Sequence, residues 1–179
     1  MKPRWSLGLA ASLLCSVAVV LSVSGPAKAL SPGTVRIDHV ADGDTVTLTN
    51  GQRVRLVQID TPEVYFGVEC YGREASTLTK RMLLPGTVVR LLREPASDDV
   101  DRYGRLLRYV VRVRDGLNIN LRLVAKGAAA PYFYAGLRGR FTQQLLRLAR
   151  SARAQDLGLW GACPGTAWDP EHGVKTVQP

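Results

Sequence analysis

Apolar and polar positions alternate with a period of two through the early part of the chain, the pattern of half-buried strands. Residues 34–40 form a short β-type run, and Thr45, Val46, Thr47, Leu48 and Thr49 alternate strictly. The turn dipeptides Asp42-Gly43 and Asn50-Gly51 bracket the second run, so the pattern predicts a β-meander. The next run, 52–60, changes phase: Val54 and Leu56 share one parity, Val57 and Ile59 the other. That change predicts a bulge, or a strand buried on both faces. Tyr71, Ala75, Leu78 and Met82 then fall at helical spacing and stop at Pro85-Gly86, which predicts a helix over 72–84. Two more strands are expected at 87–94 and 106–113, around an acidic turn. A short helix over 120–126, capped by Asn120 and ended by Gly127, follows. From 138 to about 156, Phe141, Leu145, Leu148 and Ala152 make an apolar stripe, with Arg140, Arg147, Arg150 and Arg153 mostly outside it.

Five short strands with one helix inserted and two following predict an α+β fold, mainly β: a five-stranded Greek-key barrel of the OB type with three helices. Residues 161–179 are rich in Pro, Gly and Thr and have no period. The expectation is one domain over 30–163 and a flexible tail over 164–179, with no internal repeat.

Residues 1–29 read as an address: Lys2 and Arg4 precede an apolar run, then come Pro26 and the small-x-small sequence Ala27-Lys28-Ala29. Cleavage after Ala29 is expected, which makes the protein secreted or extracytoplasmic; an uncleaved N-terminal anchor is the alternative. The full chain has 24 Lys and Arg against 15 Asp and Glu, a net +9. Removing the leader takes away Lys2, Arg4 and Lys28 and no acid, leaving 150 residues at +6. That balance favours a polyanionic partner, although a genome rich in Arg codons explains 19 arginines against five lysines equally well. Cys15 leaves with the leader, so Cys70 and Cys163 remain as a pair in an oxidising compartment. One disulfide is the default reading, with two buried thiols as the alternative.

Several kinds of site are excluded. Only His39 and His172 are present, far apart, which argues against paired-histidine or zinc-histidine chemistry. No Gly-x-Ser-x-Gly elbow, phosphate-binding Gly-Lys loop or dinucleotide fingerprint occurs. Asp99-x-Asp101 fails as a calcium-binding EF loop, because Tyr103 and Val110 stand where oxygen ligands are needed. What remains is carboxylates and arginines around turns: Asp42-Gly43-Asp44-Thr45, Arg55 ahead of Asp60-Thr61-Pro62-Glu63, and Asp101-Arg102-Tyr103-Gly104-Arg105. Acids without nearby cysteine or histidine suit a hard divalent cation, and two arginines suit bidentate capture of a phosphate.

In this order and spacing, those stretches resemble the thermonuclease family, the staphylococcal nuclease-like domains, in a secreted bacterial form. Tyr71-Gly72-x-Glu74-Ala75, Tyr132-Phe133-Tyr134 after Lys126-Gly127-Ala128, and Gly158-Leu159-Trp160 extend the match over nearly the whole domain. The resemblance implies an OB-fold barrel with calcium-dependent nuclease activity, an endonuclease hydrolysing DNA and RNA and leaving 3′-phosphorylated ends. It implies Asp44 and Asp60 as Ca2+ carboxylates and Thr61 as a carbonyl ligand. Glu63 would position or deprotonate the attacking water, and Arg55 and Arg105 would hold the phosphate. Arg102, Tyr103, Tyr132 and Tyr134 match positions lining the nucleotide pocket, with Arg102 where the best-known member has lysine. Arg55 and Asp60 must then reach one site although five positions apart, so the break at Leu56-Val57 should bring them within about 10 Å. The loop from 64 to 70 is shorter than in that member and lysine-free, and the Cys70–Cys163 pair lies outside its pattern. DNA and RNA are the expected partners, as substrates of a monomer with no stable protein partner and no membrane contact after cleavage. A non-catalytic nucleic-acid-binding OB module and a surface binder of oligosaccharide or protein are the other classes considered. The first has no need of the complete acid–arginine set, and the second leaves the paired arginines unexplained.

Overall fold

A computed structural model describes residue 1, residues 33–65 and residues 67–177. The expected leader lies, apart from Met1, outside the described residues. Strands β1 (Thr34–Val40), β2 (Thr45–Leu48) and β3 (Arg53–Leu56) form the predicted meander. β2 pairs antiparallel with both neighbours. Gly51, at φ 82°, supplies the left-handed backbone that the β2–β3 turn needs. β3 ends at Leu56 because Gln58 turns left-handed at φ 61°; two residues, Ile59–Asp60, resume as β4. The phase change in the sequence is therefore a break, and the residues beyond it join a different sheet, pairing with β8 (Ala130–Pro131).

β5 (Val88–Arg93) and β6 (Leu106–Arg112) complete the barrel. The order is β3-β2-β1-β5-β6, and a parallel pairing of β6 with β3, Val54 opposite Leu106, closes it. β1 serves two neighbours, β5 through Thr34–Arg36 and β2 through Ile37–Val40, with a bulge between Ile37 and His39. Closure removes exposed edges and leaves an interior filled by Ile37, Val46, Leu48, Val54, Leu56 and Val110. A short β7 (Leu117–Asn118) pairs with the end of β6.

Helices α1 (Gly72–Met82), α2 (Ile119–Ala125) and α3 (Thr142–Ala154) are the three expected. A four-residue turn of helix, α4 (Leu159–Ala162), follows. Two boundaries differ from the expectation. The cap of α2 is Asn118, whose side chain accepts from the Leu121 N–H; Asn120 is fully buried and stitches the barrel instead. Its Nδ2 donates to the Val57 carbonyl at 2.8 Å and its Oδ1 accepts from the Val110 N–H at 3.0 Å, so it satisfies backbone groups left by the break. α3 starts at Thr142 rather than 138, because the buried Glu94 carboxylate takes the Arg140 N–H at 2.9 Å and holds that stretch as a loop.

The larger correction concerns 164–179, expected as a tail without regular structure. Residues Ala167–Asp169 (β9) and Gly173–Lys175 (β10) form an antiparallel hairpin. Val174 is buried with Ala130, Leu159 and Cys163, and Trp168 donates its indole N–H to the Pro131 carbonyl at 2.9 Å. Strands of three residues are too short for a period to register in the sequence. The disulfide is present: Cys70 and Cys163 are bonded, with Cα atoms 5.9 Å apart, and stand 93 positions apart in sequence. In the chain-entropy account, so long a loop makes a stabilising cross-link. Replacing both cysteines by serine should lower stability by about 2–5 kcal/mol in urea unfolding, and an unchanged midpoint would show that the link only decorates the fold.

Candidate active site

The site is assembled where the break in β3 meets the β1–β2 turn. Asp42 accepts the Asp44 N–H at 3.0 Å, a local turn that delivers Asp44, only 6% exposed, to the start of β2. Gly43 is required there: a Cβ would stand 2.5 Å from the Thr61 hydroxyl. Thr79 of α1 donates to the Gly43 carbonyl at 2.7 Å and locks the turn from below. Asp44 Oδ2 then accepts the Thr61 N–H and the Thr61 hydroxyl, each at 2.9 Å.

Arg55 fills the space between the acids. Its Nη1 lies 2.9 Å from Asp44 Oδ2 and its Nη2 donates to Asp60 Oδ1 at 3.0 Å. The same Nη1 donates to the carbonyls of Leu56 and Ile59, both at 3.0 Å, on either side of the break. One planar fork thus neutralises two carboxylates and caps two carbonyls that a continuous strand would have paired. The Arg55–Asp60 separation is well inside the expected 10 Å.

The balance of charge is negative. Burial pushes the Asp44 carboxyl up to about 7 against the pull of Arg55, with Asp42 and Asp60 adding repulsion. Burial also raises Asp60, against Arg55 and the Val174 N–H. Glu63 is raised by burial first and then by the charges of Asp60 and Asp42. Burial opposes the charge of Arg55, but Asp44, Asp60, Asp42 and Glu63 outweigh it and raise its pKa. Four carboxyls thus act on one guanidinium, although among the described residues no three of them come close enough together to form a metal-holding group.

Glu63 stands at the open side of this cluster. Its carboxylate makes no hydrogen bond or ion pair among the described residues, while its backbone is clamped: the Glu63 N–H donates to Glu69 Oε2 and the Glu69 N–H to the Glu63 carbonyl, both at 2.9 Å. The short loop is therefore folded back on the site, and Tyr65 ties it to the Ala41 carbonyl at 2.9 Å. Gly72 packs against the Glu63 carbonyl too closely for any Cβ.

Arg55 also lines a cavity of about 380 Å³ with Arg102, Tyr103, Arg105, Tyr132 and Tyr134; Asp44 and Asp60 lie behind Arg55. Arg105 is oriented by Asp101, Nε to Oδ2 at 2.7 Å, and its Nη1 reaches the Thr45 hydroxyl at 3.4 Å. Burial opposes the charge of Asp101, but the Arg105 and Tyr103 N–H groups and the Arg105 guanidinium hold its carboxyl below the usual range. Arg102 and Arg105 flank the Tyr103 ring at 4.8 and 5.3 Å from its centroid. Tyr132 and Tyr134 meet edge to face with centroids 6.4 Å apart. Asp44, Arg55, Asp60 and Thr61 are thus bonded in one cluster, with Thr61 seen as a donor to Asp44, and Arg55 joins it to the cavity lined by Arg102, Tyr103, Arg105, Tyr132 and Tyr134, while the Glu63 side chain stands apart without a bond to either. Asp42 and Asp101 stood in the sequence motifs, but without the orienting bonds found here. Glu69 and Val174 gave no signal, since their roles depend on backbone contacts across the fold.

The family described as staphylococcal nuclease homologue matches residues 53–162. Endonuclease YhcR of Bacillus subtilis is 32% identical over 137 residues, covering 69% of this chain and 11% of that protein. The SPbeta prophage-derived endonuclease YokF of the same organism is 31% identical over 132 residues, 70% of this chain and 43% of that protein. The thermonuclease of Staphylococcus intermedius is 30% identical over 164 residues, 83% of this chain and 94% of that protein. The chain thus spans less than half of either Bacillus endonuclease and nearly all of the thermonuclease.

The acid cluster predicts a pH dependence of stability. In a metal chelator, the folded protein binds a proton on Asp44 up to about pH 7, whereas the unfolded chain releases it near the ordinary value of 3.8. The stabilisation is full below that lower value and is lost as pH rises through 7. Between pH 5 and 7 the loss should be about 1–2 kcal/mol in urea unfolding, and Asp44→Asn should flatten the slope. A slope identical to wild type would remove Asp44 from this role.

Proposed function

The chain belongs to the staphylococcal nuclease family, and from that membership we propose that it is a calcium-dependent endonuclease hydrolysing phosphodiester bonds of DNA and RNA. The observation that carries the reading is the Asp44–Arg55–Asp60 cluster sharing Arg55 with a cavity of arginines and tyrosines. The donor set suits a hard divalent cation: oxygen only, with two buried carboxyls whose charge burial opposes and a bound cation would favour. Asp44 and Asp60, with the Thr61 carbonyl, would hold calcium, which when bound supplies Lewis-acid polarisation of a phosphoryl oxygen.

The chain's own groups account for the rest. Glu63, without a side-chain partner and with a raised pKa, takes the proton of the attacking water. Arg105, fixed through Nε by Asp101, turns its remaining nitrogens to the phosphate, where charge accumulates on the equatorial oxygens. Arg55 supplies the second guanidinium once a cation shares its carboxylates. Tyr103, Tyr132 and Tyr134 offer ring faces on which any base can stack, which suits both DNA and RNA. Departure of the sugar 5′ oxygen in line with the incoming water leaves a 3′-phosphate. The disulfide suits an oxidising compartment, which supports export; removal of the leader over 1–29 and a monomeric state are parts of the same proposal.

Purified protein should degrade plasmid DNA and RNA in calcium and lose all activity in excess chelator, with no requirement for zinc. Full activity in chelator would sink the reading. Glu63→Gln should lower turnover by roughly 10²-fold or more with substrate binding nearly kept. Arg105→Lys should also cost turnover heavily, because the charge stays but the planar fork is lost. Tyr134→Ala, which removes the stacking face, should act mainly on KM. A Glu63→Gln rate within about threefold of wild type would move the base elsewhere.

A further inference from the structure

The hairpin β9–β10 lies beyond the matched segment 53–162, yet it reaches the acid cluster. The Val174 N–H donates to Asp60 Oδ2 at 3.1 Å, while Arg55 holds Oδ1. Each oxygen of Asp60 therefore has its own anchor, one from the barrel and one from the C-terminal strand. Gly173 makes the approach possible. At φ 86° it is a position for glycine, and a Cβ there would come 2.5 Å from Asp60 Oδ2 and 3.3 Å from Cγ.

The hairpin is fastened at several points. The Cys70–Cys163 disulfide ties its root, and Thr176 donates to the Cys70 carbonyl at 2.7 Å. Trp168 holds the carbonyl of Pro131, the residue paired with Ile59 beside Asp60. On the other side, the Phe133 N–H donates to the Pro170 carbonyl, so the hairpin also braces the segment carrying Tyr134.

We infer that the C-terminal hairpin is a working part of the active site, with Val174 a positioning residue whose backbone N–H sets the Asp60 carboxylate for a hard divalent cation. The inference rests on the reading of Asp60 as a cation ligand. An outer hydrogen bond to a ligating carboxylate fixes its rotation, and its loss characteristically costs 10–100-fold in metal affinity.

Calorimetric titration of the full chain with calcium, wild type against Gly173→Ala, tests this. The added methyl group pushes on Asp60 Oδ2 and leaves the disulfide cysteines unchanged. Calcium affinity should fall by about 10–100-fold, with kcat recovering at saturating calcium. Circular dichroism checks that the variant is folded. Unchanged or tighter calcium binding in folded Gly173→Ala overturns the inference. Wild type that binds no calcium overturns the functional reading instead. A metal-free measurement then decides the positioning contact: exchange of the Val174 amide should be at least about tenfold faster in Asp60→Ala than in wild type, the loss of a bond to a charged acceptor. Equal exchange in the two proteins removes the contact and the inference with it.

Discussion

The guanidinium of Arg55, packed between Asp44 and Asp60, is the contact on which the rest of the site depends. Two buried carboxylates this close repel each other, and the pull of Arg55 opposes both that repulsion and the cost of burying their charge, tying β2, β3 and β4 together. The same fork caps the Leu56 and Ile59 carbonyls, so the break in β3 and the pairing of the acids are one event. Were the strand continuous, Asp60 would face away from Arg55 and those carbonyls would belong to a ladder. Uncompensated backbone polarity at a strand end thus becomes the means of building a charged centre in a barrel of apolar side chains.

Most of this was legible in the sequence where a local rule operates. Alternation in 45–49, the Asn50-Gly51 turn and the phase change in 52–60 each map onto an element, because side-chain parity and turn conformation are short-range properties. The candidate residues were named from the resemblance that the order and spacing of the motifs carried. What was not legible is long-range. Asn120 has the chemistry of a cap, and only the fold shows that the carbonyl of Val57, 63 residues away, claims its amide. The β9–β10 hairpin has three-residue strands held by a tryptophan, a disulfide and a carboxylate from elsewhere in the chain, so no periodicity could announce it.

The short loop after Glu63 follows the same logic. A longer segment would fray unless its own side chains packed it; here Glu69 bonds the Glu63 backbone in both directions and Cys70 is covalently held. Among the described residues, the Glu63 side chain makes no hydrogen bond or ion pair, and its backbone is held at both its N–H and its carbonyl. A proton acceptor needs that combination: a fixed origin and an unsatisfied end.

The strongly basic composition means less than it suggests at first, because many of the arginines serve the fold. Arg112 binds Asp115 and the Met82 carbonyl, Arg108 pairs with Asp99, and Arg36 and Arg140 cap the carbonyls of Gly86 and Arg93. Their planar forks do what lysine could not, joining carboxylates and carbonyls at fixed angles. Their charge is largely compensated locally and adds little to the field felt by a distant polyanion. Among the described residues, the arginines that line the cavity with the tyrosines are Arg55, Arg102 and Arg105, and acids orient two of them: Asp101, in the cavity lining, holds Arg105, and Asp60, outside it, holds Arg55. Net charge thus gives only a weak indication of nucleic-acid chemistry in this chain, whereas the placement of two acid-aligned forks beside stacking rings gives a specific one.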